Sequence, residues 1–246
     1  MPQNVFVGPV AESYDATSSV MYEPAVLNPT LDFLIDLNAQ AGGGRVLELG
    51  IGTGRVGLPL SERGVHVHGI EISADMVAQL KAKPGAERVG VTVGDFATAK
   101  VDGSFTLAFL VYNTISNLLT QDEQIECFRN VADHLAPSGC FVIELWIPEL
   151  QKLASGERLR AFTATPEHLG FDESDSAVQR VTSHHYWLED DRMVSFSSHH
   201  RYVWPSELDL MARMAGMQLR ERWGDWDRRP FTNDSSKHIS VWEMPN

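Results

Sequence analysis

Cysteine is scarce: Cys127 and Cys140 are the only two in 246 residues and form no C-x-x-C pair. Neither a disulfide framework nor a thiolate zinc site is suggested, and a reducing, cytoplasmic setting is the expectation. Positive charge is also short. Twenty Lys and Arg stand against 33 Asp and Glu, giving a net charge of −13 with no basic run, so a phosphate backbone would be repelled and no nucleic-acid partner is expected. No window approaches the roughly 20 apolar residues of a membrane span. Met1-Pro2-Gln3-Asn4 lacks the basic region and apolar core of an export signal, so neither membrane nor secretion is expected. Internal repeats and low-complexity stretches are missing too, whereas a homo-oligomer is left open.

What is present is a chain with 43% hydrophobic residues, long enough for one large α/β domain or a domain with an elaborated cap. From Arg45 to Trp146 short apolar runs alternate with amphipathic stretches, the pattern of a doubly wound, mostly parallel sheet with crossover helices. Strands are expected at Val46 to Leu49, Val65 to Glu71, Val89 to Val93, Phe105 to Val111 and Cys140 to Trp146. Ser73 is placed to cap one helix. Thr120-Gln121-Asp122-Glu123 is a capping box for another, which Pro137-Ser138-Gly139 should end.

After Ile147 longer alternating runs predict an antiparallel cap inserted after the fifth strand, with strands at Leu159 to Ala164, Val178 to Trp187 and Met193 to Trp204. Glu189-Asp190-Asp191-Arg192 reads as a hairpin tip, and Ser206 to Ala215 as a helix stopped by Gly216. Two last strands, Met217 to Trp223 and His238 to Glu243, should complete the sheet. The expected organisation is a leader and helix over 1–42, a cofactor-binding core over 43–147, the cap over 148–204 and a closing helix and strands over 205–246.

Glu48-Leu49-Gly50-Ile51-Gly52-Thr53-Gly54 joins the first strand to a helix, so backbone and helix amides can approach a polar ligand closely. Dinucleotide binding would require glycine at position 55, where Arg55 stands instead. Glu71 ends the second strand about 20 residues after the first glycine, the place from which a carboxylate accepts from ribose hydroxyls. An adenosine-containing cofactor follows.

In these residues the chain resembles the class I, Rossmann-like S-adenosylmethionine-dependent methyltransferases, whose first motif, E/D-x-G-x-G-x-G, is met by Glu48, Gly50, Gly52 and Gly54. The likeness runs from about Tyr14 to Trp146. It implies S-adenosyl-L-methionine as cofactor and S-adenosyl-L-homocysteine as product. It puts the glycine loop, with Arg55, at the cofactor's amino-acid portion, Glu71 at the ribose, Ile72 and Met76 on the adenine face, and Asp95 with Phe96 at the adenine edge. Leu110, Tyr112 and Asn113 would border the methionine portion and the acceptor. Tyr14 would be a lid over the cofactor and, with Tyr112 and Asn113, catalytic.

The acceptor side is read from the second half. Adjacent residues of a strand face opposite sides, so at most one of each pair His184-His185 and His199-His200 looks inward. His199 is the expected catalytic histidine. Acceptor contacts are expected from Tyr22, Asn117, Trp146, His200, Arg201, Trp204 and Trp223, with Asp225 and Trp226 in the same cluster. His66 and His68 read as structural, and no metal site is expected. Trp204-Pro205-Ser206-Glu207-Leu208 followed by Ala215-Gly216-Met217 resembles the late helix of bacterial natural-product methyltransferases, including amino-sugar N-methyltransferases. That implies a small-molecule acceptor and methyl transfer to nitrogen. O-methylation, a non-catalytic cofactor-binding protein and a nicotinamide-dependent oxidoreductase stay open as alternatives.

Overall fold

The computed structural model describes residues 4–150, 153–189 and 192–246; residues 190 and 191 of the expected hairpin tip lie outside them. Seven strands form the main sheet: β1 (Val46–Leu49), β2 (Val67–Glu71), β3 (Gly90–Val93), β4 (Phe105–Leu110), β5 (Leu135–Trp146), β10 (Gln218–Trp223) and β11 (Lys237–Glu243). Their order is β10-β11-β5-β4-β1-β2-β3. The first five run parallel, while β11 is antiparallel to β5 and β10 to β11. A second, four-stranded antiparallel sheet, β6 (Leu159–Ala164), β7 (His168–Asp175), β8 (Arg180–Glu189) and β9 (Arg192–Arg201), follows β5, where a cap was expected.

Parallel strands covered on both faces must be apolar on both faces, and the alternation along β5 shows how they are shared. Phe141, Ile143 and Leu145 enter one core with α5 (Gln121–His134) and α6 (Pro205–Met214), while Cys140 and Val142 enter another with α2 (Pro24–Gln40) and α3 (Gly57–Glu62). Phe128 of α5 meets Phe141 at 5.1 Å and Trp242 of β11 at 5.4 Å, edge to face, the favoured arrangement of aromatic pairs. The Thr120–Glu123 capping box forms at the start of α5, and Ser73 caps α4 (Ala74–Lys81) by accepting from the Met76 amide.

Three elements differ from expectation. The helix before β5 ends at His134, and strand pairing resumes at once, with Leu135 opposite Phe105 and Cys140 opposite Leu107. Pro137-Ser138-Gly139 is therefore a bulge inside a longer strand, with Ser138 at a φ of 59°. Strand β7 went unrecognised because Gly170 and its acids dilute the apolar alternation. The leader carries its own helix, α1 (Pro9–Thr17), ahead of α2.

Among the described residues no helix is long and apolar enough to cross a membrane. On β11 the His238 imidazole is fully buried, with Nδ1 in contact with Ser240 Oγ at 2.7 Å and no hydrogen-bond partner for Nε2 among the described residues. Burial, with Arg222 nearby, lowers its pKa to about 3. An unfolded histidine titrates near 6.5, so between these values only the unfolded chain binds the proton and stability rises with pH. The calorimetric unfolding temperature should fall as pH is lowered from about 6.5 towards 4, and less steeply in His238→Gln.

Candidate active site

The carboxyl ends of β1, β2, β3 and β4 open on one cleft, as expected where strand order reverses in a doubly wound sheet. At its floor the glycine loop turns through positive φ at Gly50 (69°) and Gly52 (55°). A Cβ on Gly50 would lie 2.6 Å from Thr114 Cγ2, so only glycine lets the two turns approach this closely. Glu71, 6% exposed, accepts from the Gly52 amide at 2.9 Å and from the Ser73 amide at 2.8 Å. Burial raises its pKa, and these amides oppose the rise. A carboxylate has about four lone-pair sites, so two amides leave acceptor capacity for ribose hydroxyls.

The cleft measures about 880 Å³ including its open mouth. Glu71, Ile72, Met76, Asp95 and Phe96 line one wall with Gly50 and Gly52; Asn117 lines another with His199 and His200, two histidines where at most one was expected, because the cleft meets the end of β9. Tyr14, on α1, borders both this cleft and a smaller adjoining recess walled by Glu48, Arg55 and Tyr112. Burial, then the nearby Tyr112, raises the Tyr14 pKa. Glu48 is 3% exposed, and its Oε2 has no hydrogen-bond partner among the described residues. Burial lifts its pKa to about 8 against the opposing effect of Arg55. A buried carboxyl group with one orphaned oxygen and a guanidinium beside one glycine loop offer an acceptor and a cation, matching the ammonium and carboxylate of an amino-acid portion. The residues present therefore fit S-adenosylmethionine.

Tyr112 and Asn113 leave β4 with consecutive φ values of 55° and 59°. Such left-handed residues cost roughly 1–2 kcal/mol each, and an aromatic there signals restraint by its surroundings. The Tyr112 ring lies 5.4 Å from the Arg55 guanidinium and 6.2 Å from the Trp146 ring, which is itself largely exposed.

Several expected residues lie outside the cleft. Leu110 is buried in the core with α5, and Gly54 packs under Leu58 and Leu80. The Asn113 side chain accepts from the Trp146 amide at 2.7 Å. Arg201 is 5% exposed and spent on Gln124, Gln179 and Glu207, tying the second sheet to α5 and α6. Trp204 begins α6 against Tyr202, Trp223 packs on the α2 side of the sheet, and Trp226 is buried there. His68 contacts Thr92 Oγ1 at 2.9 Å. No group of acids, histidines or cysteines suited to a metal occurs among the described residues.

Tyr22 has a part that sequence spacing could not reveal. Its hydroxyl donates to Asp15 Oδ1 at 2.5 Å, Thr53 of the glycine loop donates to the same oxygen at 2.6 Å, and Lys83 pairs with Asp15 while donating to the Thr53 carbonyl at 2.8 Å. Against partial burial, these donors hold the Asp15 carboxyl below the usual range. Two further contacts strap the leader down: the Gly8 amide on Asp75 and the Ser73 hydroxyl on the Phe6 carbonyl. Asp15, Thr53 and Lys83 were not anticipated; only the threonine between two loop glycines offered a signal.

A methyltransferase-domain family model matches residues 46–139. The chain is similar to a cypemycin N-terminal methyltransferase from a Streptomyces species, 27% identical over 243 residues and 94% of each chain. It is also similar to the solved CcbJ methyltransferase from Streptomyces caelestis, with 35% identity, 89% of each chain covered and a TM-score of 0.79. At 20% identity, covering 98% of this chain and 99% of the other, the fold matches CalS10 of Micromonospora echinaspora, an amino pentose methyltransferase of calicheamicin biosynthesis, with a TM-score of 0.70.

Tyr22→Phe removes one donor from the Asp15 carboxylate that joins leader to loop, while leaving the cleft wall intact. Calorimetric affinity for S-adenosylhomocysteine should fall by roughly 3- to 10-fold, the worth of one ordinary hydrogen bond. Unchanged affinity would separate the leader from the cofactor site.

Proposed function

Because this chain belongs to the S-adenosylmethionine-dependent methyltransferases, we propose that it methylates a nitrogen of a small natural-product acceptor. The observation that carries this reading is whole-chain likeness to an N-terminal methyltransferase, which extends past the cofactor core through the second sheet. On this reading residues 43–147 hold the cofactor, 1–42 form its lid, 148–204 cap the acceptor and 205–246 complete the sheet.

Bound S-adenosylmethionine supplies an activated methyl group for in-line displacement. The chain's own contribution is to bind, aim and keep water out. Glu71 takes the ribose hydroxyls, Ile72 and Met76 the adenine face, Asp95 and Phe96 its edge, and Glu48 with Arg55 the amino-acid end. Tyr14 covers the bound molecule. The acceptor enters between Tyr112, Asn117 and the His199-His200 end of β9. An amine must be unprotonated to attack, and burial lowers the His200 pKa, so a neutral imidazole faces the cleft to receive or orient a proton. The same imidazole could serve a hydroxyl acceptor, and this keeps O-methylation as the second reading.

The test is incubation with S-adenosylmethionine and a panel of amino sugars and peptides with free amino termini. S-adenosylhomocysteine should be released, and one acceptor should gain a methylene that fragmentation mass spectrometry places on nitrogen. His200→Ala and Tyr112→Phe should each lower turnover of that acceptor at least 10-fold and keep S-adenosylhomocysteine affinity within about threefold. Normal turnover in both would place the acceptor elsewhere, and a methyl group on oxygen would favour the second reading.

A further inference from the structure

Glu144 interrupts an apolar face. It follows Cys140 and Val142 on the side of β5 that packs with Ile239 and Val241, is 7% exposed, and sits opposite Ile239. A carboxylate buried there is costly unless each oxygen is engaged. Oε2 accepts from the Tyr112 amide at 3.0 Å, while Oε1 accepts from Trp226 Nε1 and Lys237 Nζ, both at 3.1 Å. The Glu144 carbonyl also accepts from the Asn113 amide at 3.3 Å. One residue thus grips both members of the left-handed corner after β4 through its side chain and its backbone. Beyond the corner, the Tyr112 ring walls the recess shared with Tyr14, Glu48 and Arg55.

We propose that Glu144 is a positioning residue which fixes the Tyr112–Asn113 corner and so holds the Tyr112 ring against the amino-acid end of the cofactor site. The proposal rests on the reading of that recess as part of the S-adenosylmethionine site. A competing account confines Glu144 to an ion pair: Lys237, which also reaches Asp225 at 2.8 Å, would anchor β11 with no consequence for Tyr112. The two accounts part on what replaces the carboxylate. Glu144→Met fills similar space without an acceptor, Glu144→Gln keeps a carbonyl oxygen for the Tyr112 amide but drops the charge, and Lys237→Gln breaks the ion pair while leaving Glu144 an amide donor.

The chain has five tyrosines, so ¹⁵N-tyrosine labelling gives five amide signals, four of them internal controls. In Glu144→Met the Tyr112 amide should exchange with solvent at least 10-fold faster while the controls hold. Calorimetric affinity of the full chain for S-adenosylmethionine should fall at least fivefold. Glu144→Gln should restore both to within about threefold of wild type, and Lys237→Gln should stay there. Glu144→Ala reads the same way if Glu144→Met does not fold. Unchanged Tyr112 exchange, or faster exchange with unaltered affinity, overturns the proposal, as does Lys237→Gln matching Glu144→Met. Wild-type protein that binds neither S-adenosylmethionine nor S-adenosylhomocysteine would instead overturn the reading of the recess itself.

Discussion

The Glu71 carboxylate accepts from the Gly52 amide on one side and the Ser73 amide on the other, joining the turn after β1 to the turn after β2. The rest of the site is built outward from this bond pair. It fixes the glycine loop at the edge of β2 and leaves acceptor capacity facing the cleft. It also sets Ser73 to cap α4, whose Met76 stands over the loop, with Met76 Cε 3.3 Å from where a Cβ on Gly52 would lie. The carboxylate is tolerable under burial only because backbone amides serve it.

Around that centre the chain uses the same device twice more at longer range. Asp15 collects Tyr22, Thr53 and Lys83 and so closes the leader on the loop from one side. Glu144 collects Tyr112, Trp226 and Lys237 and so braces the turn after β4 from the other. Three acids, each satisfied by donors from separate elements, position the parts that a parallel sheet alone would leave loose. Arg201 does the converse for the second sheet, offering a buried cation to acceptors on α5, α6 and the turn before β8.

The parts of this arrangement visible in the sequence were those written in neighbouring residues. Glycine spacing, the Ser73 cap, the Thr120 capping box and the apolar runs of β1, β2 and β4 each act within a few positions, and local rules recover them. Tyr22 and Trp226 read as acceptor contacts because aromatics near polar residues suggest pockets. Tyr22 instead shares an Asp15 oxygen with Thr53, 31 positions away, and Trp226 donates to Glu144, 82 positions away; no periodicity connects them. Pro137-Ser138-Gly139 misled for another reason. Turn residues mark a break in the chain direction, and a bulge needs the same backbone conformation without ending the strand.

The place of β11 between β5 and β10 bears on how the protein is made. Residues 135–146 leave the ribosome before the second sheet, α6 and β10, yet the strand that covers their free edge comes after all of these. A nascent chain therefore carries an unpaired, strongly apolar edge through the synthesis of the whole intervening region, and nascent Glu144 waits without Trp226 and Lys237. Chaperone demand during translation should concentrate on that edge, which the finished sheet covers with β11.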